Sequence, residues 1–287
     1  MINKLIISSE STNLYTTNEF IKSGKELKLE TIWINPYEQC LNISPKMKHK
    51  NKHDSLYLVR TTGIRYDDFD LNVATYFEEN KAKISNPLSA LVTFRNKDNQ
   101  QFFFSRHKIN FIPSVSLRGA LNKEKIQTIK SLCEDENYIL KMSRGNGGIG
   151  VQIIHGTDSL LSILETFHAI KDQRFLIQPY QSHQKEFRFL FSKTKILAII
   201  EKMKSPDEFR ANAKRTTGKL RKNIDYEIMN YAQDIFNKSG LDYAGIDIIL
   251  TKNGPLVLEV NCVPGFMQAQ ELSEINISKE IILDLLK

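Results

Sequence analysis

The sequence has few cysteines and no long apolar segment. Cys40, Cys133 and Cys262 are scattered and show no CxxC or Cys/His spacing, which argues against a disulfide framework and a structural zinc site. The apolar run at residues 4–8 is too short for a signal peptide, and no later segment approaches the roughly 18 apolar residues of a membrane span. We therefore expect a cytoplasmic protein with no membrane partner.

Internal repeats and low-complexity tracts are also absent from the sequence. Its 287 residues, of which 41% are hydrophobic, suffice for two or three domains with filled cores. The 40 Lys and Arg residues exceed the 33 Asp and Glu residues, giving a net charge of +7. This charge suits an anionic partner such as a nucleotide, an acidic peptide or a ribosomal surface, although a solvated basic surface is the commoner explanation. The basic run at residues 46–53 is likewise either an exposed loop or a partner-binding segment.

The order of apolar runs and helical stretches predicts an α/β (α+β) protein. Up to about residue 92, strands are expected at 4–8, 29–34 and 56–60, and helices at 15–24 and 67–80. One further helix is expected after Pro87, running through Phe104 and ending before Ile112, because the residue before a proline disfavours the helical region. Beyond it, helices at 160–167 and 226–239 are interspersed with strands at 138–141, 151–154, 175–178, 187–191, 196–201, 243–250 and 256–261.

A carboxylate-bearing hairpin at residues 245–261 is the most informative segment. If its loop is residues 252–254, with Gly254 in the left-handed position, Asp247 faces Glu259, and Asn261 lies on the same face. Two carboxylates that meet in an apolar hairpin repel unless a positive charge lies between them. Oxygen ligands of this kind suit Mg²⁺, so the pattern predicts a metal site. The alternative is an exposed sheet face with ordinary charges, which a two-residue turn would favour.

A glycine-rich loop follows a predicted strand that ends near Lys141. It contains Gly145, Gly147, Gly148 and Gly150, and glycines let backbone N–H groups close around phosphates while a lysine adds charge. The loop is not a Walker loop, because no Gly-Lys-Ser/Thr follows and the next element is a predicted strand. A merely flexible hairpin is the alternative interpretation.

A run of hydrogen-bond donors lies between these two hairpins. It contains Arg210, Asn212, Lys214 and Arg215, with Lys202 just upstream. Such donors can stabilise a transferring phosphoryl group and the oxyanion of an acyl phosphate. A solvated basic loop is the alternative.

Taken together, the three segments resemble the ATP-grasp superfamily, and most closely the RimK family of ribosomal-protein glutamate ligases. The most specific match is the run 254–261 with Pro264-Gly265, which resembles the family's Gly-Pro-Leu-Val-Met-Glu-Val-Asn-x-x-Pro-Gly. Arg95-Asn96-Lys97 resembles Arg-Asp-Lys, and the run 209–212 resembles Phe-Arg-Ser-Asn. The resemblance implies an N-terminal pre-ATP-grasp α/β domain at 1–92 and two α+β subdomains that grip ATP, at 93–178 and 179–287.

The resemblance also implies roles for individual residues. Lys97 and Lys141 would bind the nucleotide together with the loop glycines, and Glu186 would lie near the ribose. The other implied nucleotide-binding residues are Gln178, Pro179, Tyr180, Arg188, Arg210, Ala211 and Asn212. Arg210, Asn212 and Lys202 would be catalytic. Asp247, Glu259 and Asn261 would hold two Mg²⁺ ions, with Mn²⁺ as an alternative metal.

The implied activity is an ATP- and Mg²⁺-dependent carboxylate–amine ligation through an acyl phosphate. The family adds L-glutamate to the C-terminus of a small-subunit ribosomal protein, and a homo-oligomer that does not read nucleic acid directly is expected. Two departures concern the substrate side: Lys214-Arg215-Thr216-Thr217 replaces His-Arg-Gly-Gly, and Arg144-Gly145-Asn146-Gly147 replaces Glu-Gly-Thr-Gln. The alternatives are a ligase for another peptide or small carboxylate and a catalytically silent nucleotide- or ribosome-binding protein.

Overall fold

The computed structural model describes residues 2–44, 54–65, 67–145, 147–170, 173–203 and 217–287. The basic run at 46–53 and the predicted site residues Arg210, Ala211 and Asn212 lie outside these ranges. Three sheets organise the described residues, and each is built from one stretch of the chain. The mixture of helices and strands agrees with the predicted fold class.

The N-terminal sheet is parallel, with strand order β2-β1-β3-β4. Its central strand β3 is buried at every position, as expected for a parallel strand covered on both faces. The elements are β1 (Lys4–Ser8), α1 (Tyr15–Glu26), β2 (Glu30–Ile34), a short 3-10 helix (Pro36–Glu38), β3 (Ser55–Val59), α2 (Phe69–Glu79) and β4 (Lys83–Ser85).

Two helices, rather than the single predicted one, follow the N-terminal sheet. They are α3 (Leu88–Phe94) and α4 (Lys97–Arg106). The break occurs because the side chain of Asn96 accepts a hydrogen bond from the backbone N–H of Asp98 and so caps α4. Asparagine favours this capping geometry over a helix interior, and the new start places Lys97 in the first turn of α4.

The central sheet is antiparallel, with strand order β5-β8-β6-β7. It has a hydrophobic core of its own, in which Tyr138, Leu140 and Ile177 pack against Leu160 and Leu164. The elements are β5 (Val115–Arg118), α5 (Lys123–Lys130), β6 (Asn137–Met142), β7 (Val151–His155), α6 (Thr157–Ile170) and β8 (Arg174–Pro179).

The C-terminal sheet is also antiparallel, with strand order β11-β10-β9-β12-β13. Helix α7 ends at Gly240, whose φ of +67° is the left-handed conformation that glycine adopts readily. The elements are β9 (Lys185–Ser192), β10 (Lys195–Lys202), β11 (Gly218–Leu220), α7 (Tyr226–Ser239), β12 (Tyr243–Thr251), β13 (Gly254–Asn261), α8 (Met267–Leu272) and α9 (Ile277–Leu286).

The N-terminal and C-terminal sheets share their hydrophobic cores. Leu5 and Ile7 of β1 belong to the same buried cluster as Ile277 and Ile281 of α9. The division of the chain at residues 92 and 178 remains a prediction. Among the helices in the described ranges, none is both long and apolar enough to span a membrane.

Asn86 fastens the end of β4 to the C-terminal sheet. Its side-chain Nδ2 donates to the carbonyl oxygens of Tyr243 at 3.0 Å and Cys262 at 2.7 Å. Its Oδ1 accepts from the backbone N–H groups of Asp242 at 2.7 Å and Tyr243 at 3.1 Å. The N-terminal layer is therefore tied to β12 and to the residue that follows β13.

Candidate active site

The hairpin of β12 and β13 brings Asp247 and Glu259 opposite each other, as the sequence predicts. Its turn and its strand register differ from the predicted ones. Thr251 pairs with Gly254, so the turn has two residues, Lys252 and Asn253, rather than three. A β-bulge at Leu258 then shifts the register by one residue and restores the pairing of Asp247 with Glu259. The prediction of a three-residue loop was wrong, while the predicted pairing of the two acids is present.

The bulge also changes which side chains reach the cleft beside the sheet. In a regular strand, consecutive residues point to opposite faces. Here both Leu258 and Glu259 line the same pocket. On the outer edge of β13, Gln100 Oε1 accepts from the backbone N–H of Val260 at 2.9 Å, which fixes the strand between Glu259 and Asn261.

Asp247 is fully buried and already has two cationic partners. Arg188 donates to both of its carboxylate oxygens, with Nε to Oδ1 at 2.8 Å and Nη2 to Oδ2 at 2.6 Å. Lys202 Nζ lies 3.1 Å from Asp247 Oδ1. Burial alone would raise the pKa of Asp247, but the charges and hydrogen bonds of Arg188 and Lys202 outweigh burial and lower this pKa below its usual range. The protein itself thus supplies part of the positive charge that the paired acids require.

Lys202 and Glu186 form a second buried ion pair on the same sheet face. Lys202 Nζ donates to Glu186 Oε1 at 2.7 Å, and the two residues are cross-strand neighbours. His183, which sequence reasoning did not single out, places its Nε2 3.9 Å from Glu186 Oε2. Its only sequence signal is its position three residues before Glu186. Lys202, predicted to be catalytic, therefore bridges the predicted ribose acid and a predicted metal ligand.

The two predicted nucleotide lysines both lie near the base of the glycine-rich loop. Lys97 Nζ donates to the carbonyl of Gly145 at 3.3 Å, and Lys141 stands near the end of β6. Burial lowers the pKa of Lys141 to about 8; the charge of Glu259 opposes this shift, and the charge of Lys97 adds to it. Both lysines line the pocket that contains Glu259.

The glycine-rich loop uses its glycines for backbone conformation and close approach. Gly147, Gly148 and Gly150 have φ values of +62°, +75° and +75°, which β-carbon-bearing residues rarely adopt. A β-carbon on Gly145 would lie 3.0 Å from the carbonyl oxygen of Ile149. The backbone conformation of this turn therefore requires glycine at these positions.

Apolar side chains line the inner part of the same pocket, next to the predicted adenine hinge. Gln178 Nε2 donates to the carbonyl of Ile112 at 3.3 Å and to Ser114 Oγ at 2.8 Å. Gln178 Oε1 is buried and accepts no hydrogen bond from the described residues. Alongside Gln178, Pro179 and Tyr180, the apolar lining consists of Ile112, Ile139, Val151, Ile249 and Leu258.

The chemistry of this cleft fits a nucleotide and a divalent cation. An apolar slot with an unpaired acceptor suits a base with an amino group, and lysines suit phosphates. The side-chain Nδ2 of Asn261 is buried and has no partner in the described ranges. Glu259 and Asn261 offer oxygen donors toward the cleft, with Asp247 beside them. Within the same ranges no group of three or more His, Cys, Asp or Glu side chains is arranged to hold a metal ion, so a cation site here depends on the asparagine oxygen as well.

The comparison with known families decides the assignment. A sequence model of the RimK-like ATP-grasp domain matches residues 95–285. The chain belongs to the RimK-like ATP-grasp family. It is accordingly an ATP-dependent ligase that uses ATP and a divalent metal ion.

Known members of the family and its fold cover nearly the whole chain. A "Probable alpha-L-glutamate ligase" of Pseudomonas fluorescens is 25% identical over 291 residues, which cover 99% of this chain and 95% of that protein. The crystal structure of a RimK domain ATP-grasp protein from Sphaerobacter thermophilus has a TM-score of 0.75 at 15% identity, covering 99% of this chain and 100% of that one. The ATP-grasp ligase PsnB, complexed with a minimal precursor, has a TM-score of 0.73 at 12% identity, covering 100% and 99%. These structural matches show the ATP-grasp fold.

Proposed function

We propose that this RimK-like ATP-grasp ligase joins L-glutamate, through its α-amine, to the C-terminal carboxylate of a peptide or protein. The observation that carries the proposal is the cleft in which Lys97, Lys141, Glu259 and Asn261 line one continuous region beside an apolar slot. The glutamate assignment is supported by the names of the relatives. A small-subunit ribosomal protein is the acceptor that the family resemblance suggests.

In the first step, an oxygen of the acceptor carboxylate attacks the γ-phosphorus of ATP. The bond from the γ-phosphorus to the bridging oxygen breaks, ADP leaves, and an acyl phosphate forms. Lys97 and Lys141 hold phosphate oxygens, while the apolar slot and Gln178 hold the adenine. Water is kept from the reacting phosphate by the glycine-rich loop that covers it.

Glu259 and Asn261, with Asp247, would hold one or two Mg²⁺ ions. When bound, Mg²⁺ neutralises negative charge on the phosphate oxygens. Arg188 and Lys202 keep Asp247 ionised and fix its position. Glu186 accepts a hydrogen bond from Lys202 and lines the same pocket, where it is proposed to bind the ribose.

In the second step, the amine of glutamate attacks the carbonyl carbon of the acyl phosphate. The tetrahedral intermediate loses inorganic phosphate, the nitrogen loses a proton, and an amide bond remains. Arg210 and Asn212 are proposed to bind the oxyanion of this intermediate.

The test measures ADP release from ATP and Mg²⁺ with L-glutamate and the C-terminal peptide of the ribosomal protein. We expect release that depends on both substrates, and a loss of about 100-fold or more in Glu259→Gln. Mass spectrometry of the acceptor identifies the residue added. Equal rates for the native chain and Glu259→Gln would overturn the metal assignment. ATP binding without ADP release, for any carboxylate and amine offered, would indicate a silent nucleotide-binding protein.

A further inference from the structure

Arg60 is a buried guanidinium that lacks a carboxylate partner in the described part of the chain. It is 6% exposed, and its three hydrogen bonds go to uncharged oxygens: Tyr243 Oη at 3.2 Å, Thr16 Oγ1 at 3.1 Å and the Pro264 carbonyl at 2.9 Å. Its Nε has no partner among the described residues. A buried charge without a counter-ion is costly, so such groups are normally paired.

Arg95, a second buried arginine, shows how this protein compensates a buried guanidinium charge. Arg95 is also 6% exposed, but its Nη2 lies 2.6 Å from Asp70 Oδ2, and its Nη1 lies 3.7 Å from Asp68 Oδ1. Among the described residues, Arg95 therefore has carboxylate partners and Arg60 has none. The charge of Arg60 is thus available to an external anion.

Arg60 lies where an external anion can reach it. It lines the large cleft that also contains Lys97, Glu259 and Asn261. The cation–π contact with Phe20, whose ring centroid is 5.3 Å from Arg60 Cζ, covers one face of the guanidinium.

The N-terminus of helix α1 lines the same part of the cleft. Tyr15 and Thr16, the first two residues of this 12-residue helix, are both cleft residues. Leu14 at the N-cap position makes no side-chain capping bond, and the first turn contains no acidic residue. An uncapped helix N-terminus attracts negative charge, and the hydrogen bond from Arg60 Nη2 to Thr16 Oγ1 fixes the guanidinium beside it.

We propose that Arg60 and the first turn of α1 bind a carboxylate of the amino acid that supplies the amine. This inference rests on the proposed ligase function and specifies its substrate subsite. The acceptor's terminal carboxylate is consumed, because it becomes the acyl phosphate and then the amide. The carboxylates of the incoming amino acid keep their charge throughout the reaction, so a fixed cation in a buried position suits them.

None of the other charged groups of the cleft forms an ion pair with Arg60 within the described ranges. Arg188 and Lys202 are engaged by Asp247 and Glu186. The cleft's carboxylates, Glu259 and Glu271, make no ion pair with Arg60 within the described ranges. Thr16 accepts from Arg60 through its hydroxyl oxygen and retains its O–H as a donor for the ligand.

The test is equilibrium dialysis of radiolabelled L-glutamate against the native chain and variants, each saturated with Mg²⁺ and a non-hydrolysable ATP analogue. L-Glutamine lacks the γ-carboxylate and L-isoglutamine lacks the α-carboxylate. Competition with each of them therefore shows which carboxylate of glutamate the protein binds. The native chain should prefer glutamate to one of these amides by about tenfold to 100-fold. Arg60→Met should weaken glutamate binding by a similar factor and abolish that preference.

Four further measurements keep the result interpretable. Arg106→Met, which removes an exposed cation in the last turn of α4, should bind glutamate as the native chain does. Arg60→Lys, which retains the buried charge, should lose less affinity than Arg60→Met. Circular dichroism melting identifies a variant that has not folded, and in that case Thr16→Val should show a smaller loss in the same direction.

Two outcomes would overturn the inference. The first is a native chain that does not bind glutamate, and the second is an Arg60→Met chain that is folded and retains both the affinity and the preference between amides. ADP release separates this failure from failure of the proposed function. If the native chain releases ADP with glutamate but glutamate binding is unchanged in Arg60→Met, only the subsite is refuted. A chain that binds glutamate through Arg60 but never forms ADP refutes only the ligase reaction.

Discussion

Arg144 in the glycine-rich loop and Asp68, at the N-cap position of α2, form a two-point ion pair. Arg144 Nη1 lies 2.7 Å from Asp68 Oδ1, and Nη2 lies 2.8 Å from Oδ2. Asp68 has a φ of +55°, a conformation that aspartate and asparagine tolerate better than most residues. The loop expected to cover the phosphates is thus fastened to the N-terminal layer by an arginine where the family pattern has another residue.

Breaking this ion pair should loosen the glycine-rich loop without unfolding the protein. Arg144→Met and Asp68→Asn should each increase hydrogen exchange in a peptide that covers residues 143–150, and the double variant should add little to either. Because Asp68 is partly exposed, we expect a coupling free energy of about 1 kcal/mol or less. Lys238→Met, which breaks the exposed pair with Asp234, is the control. Unchanged loop exchange in both single variants would contradict this role.

Leu258 should contribute to ATP binding although it lies in the middle of the metal strand. The β-bulge turns its side chain into the apolar slot together with Ile249. Leu258→Ala should weaken ATP binding about tenfold, because apolar contact area with the base is lost, while leaving the KM for the amino acid nearly unchanged. Val257→Ala, one residue earlier but facing the shared core, should reduce stability instead. Fluorescence titration with a nucleotide analogue separates the loss of ATP affinity expected in Leu258→Ala from the loss of stability expected in Val257→Ala. Equal ATP affinity in the native and Leu258→Ala chains would refute the role of the bulge.

Asp247 and Glu259 should differ in what their loss does to the protein. Asp247→Asn leaves Arg188 and the buried Lys202 without their shared carboxylate, so it should lower the free energy of unfolding by about 3 kcal/mol. Glu259→Gln, which lines the open cleft, should lose activity with little loss of stability. Urea denaturation of both variants measures the contrast. The assignment of Asp247 as the counter-ion of two cations fails if both variants are as stable as the native chain.

Asp284 should make the protein's stability depend on acid pH. Its Oδ2 accepts from Thr194 Oγ1 at 2.7 Å and Ser192 Oγ at 2.5 Å, and Lys287 Nζ lies 2.6 Å from its Oδ1. Burial would raise the pKa of Asp284, but the hydrogen bonds from Lys287, Ser192 and Thr194 outweigh burial and hold it well below the usual range. Because the folded-state pKa is depressed, the stabilisation is present above the unfolded pKa of about 3.9 and is lost as the pH falls through the folded pKa.

The measurement is urea unfolding of the native chain and Asp284→Asn between pH 7 and pH 3. Asp284→Asn should be less stable at pH 7, and the difference between the two chains should shrink as the pH falls below about 4. Asp234→Asn, at an exposed position in α7, should run parallel to the native chain. A gap that stays constant over the whole range would show that Asp284 is not held ionised by its partners.

The sequence predicts the fold well because local patterns and global order agree. The predicted strands that correspond to β6, β9 and β12 and the glycine that ends α7 appear at the expected places. The stretch from Pro87 through Phe104 was predicted as one helix, whereas the structure has two. The side chain of Asn96 accepts a hydrogen bond from the backbone N–H of Asp98, and this bond starts a second helix. Only the three-dimensional contacts decide between one helix and two.

The site was less predictable where it depends on register and on distant partners. Sequence spacing correctly paired Asp247 with Glu259, although it required a loop that the structure replaces with a shorter turn and a bulge. No local pattern indicates that Arg188 and Lys202 converge on Asp247, because they come from two other strands. The lack of a carboxylate partner for Arg60 within the described ranges is also invisible in sequence, since it becomes evident only from the three-dimensional contacts.

The cluster that Leu5 and Ile7 share with α9 has a consequence for how the protein is made. Both residues are completely buried, and the same cluster includes Ile277, Ile281 and Leu285, 270 or more positions later. During synthesis, this core cannot be completed until α9 has left the ribosome, whereas the central sheet can close its own core much earlier. The nascent chain therefore carries an incomplete apolar core for most of its translation, and it is this interval that a chaperone would have to protect.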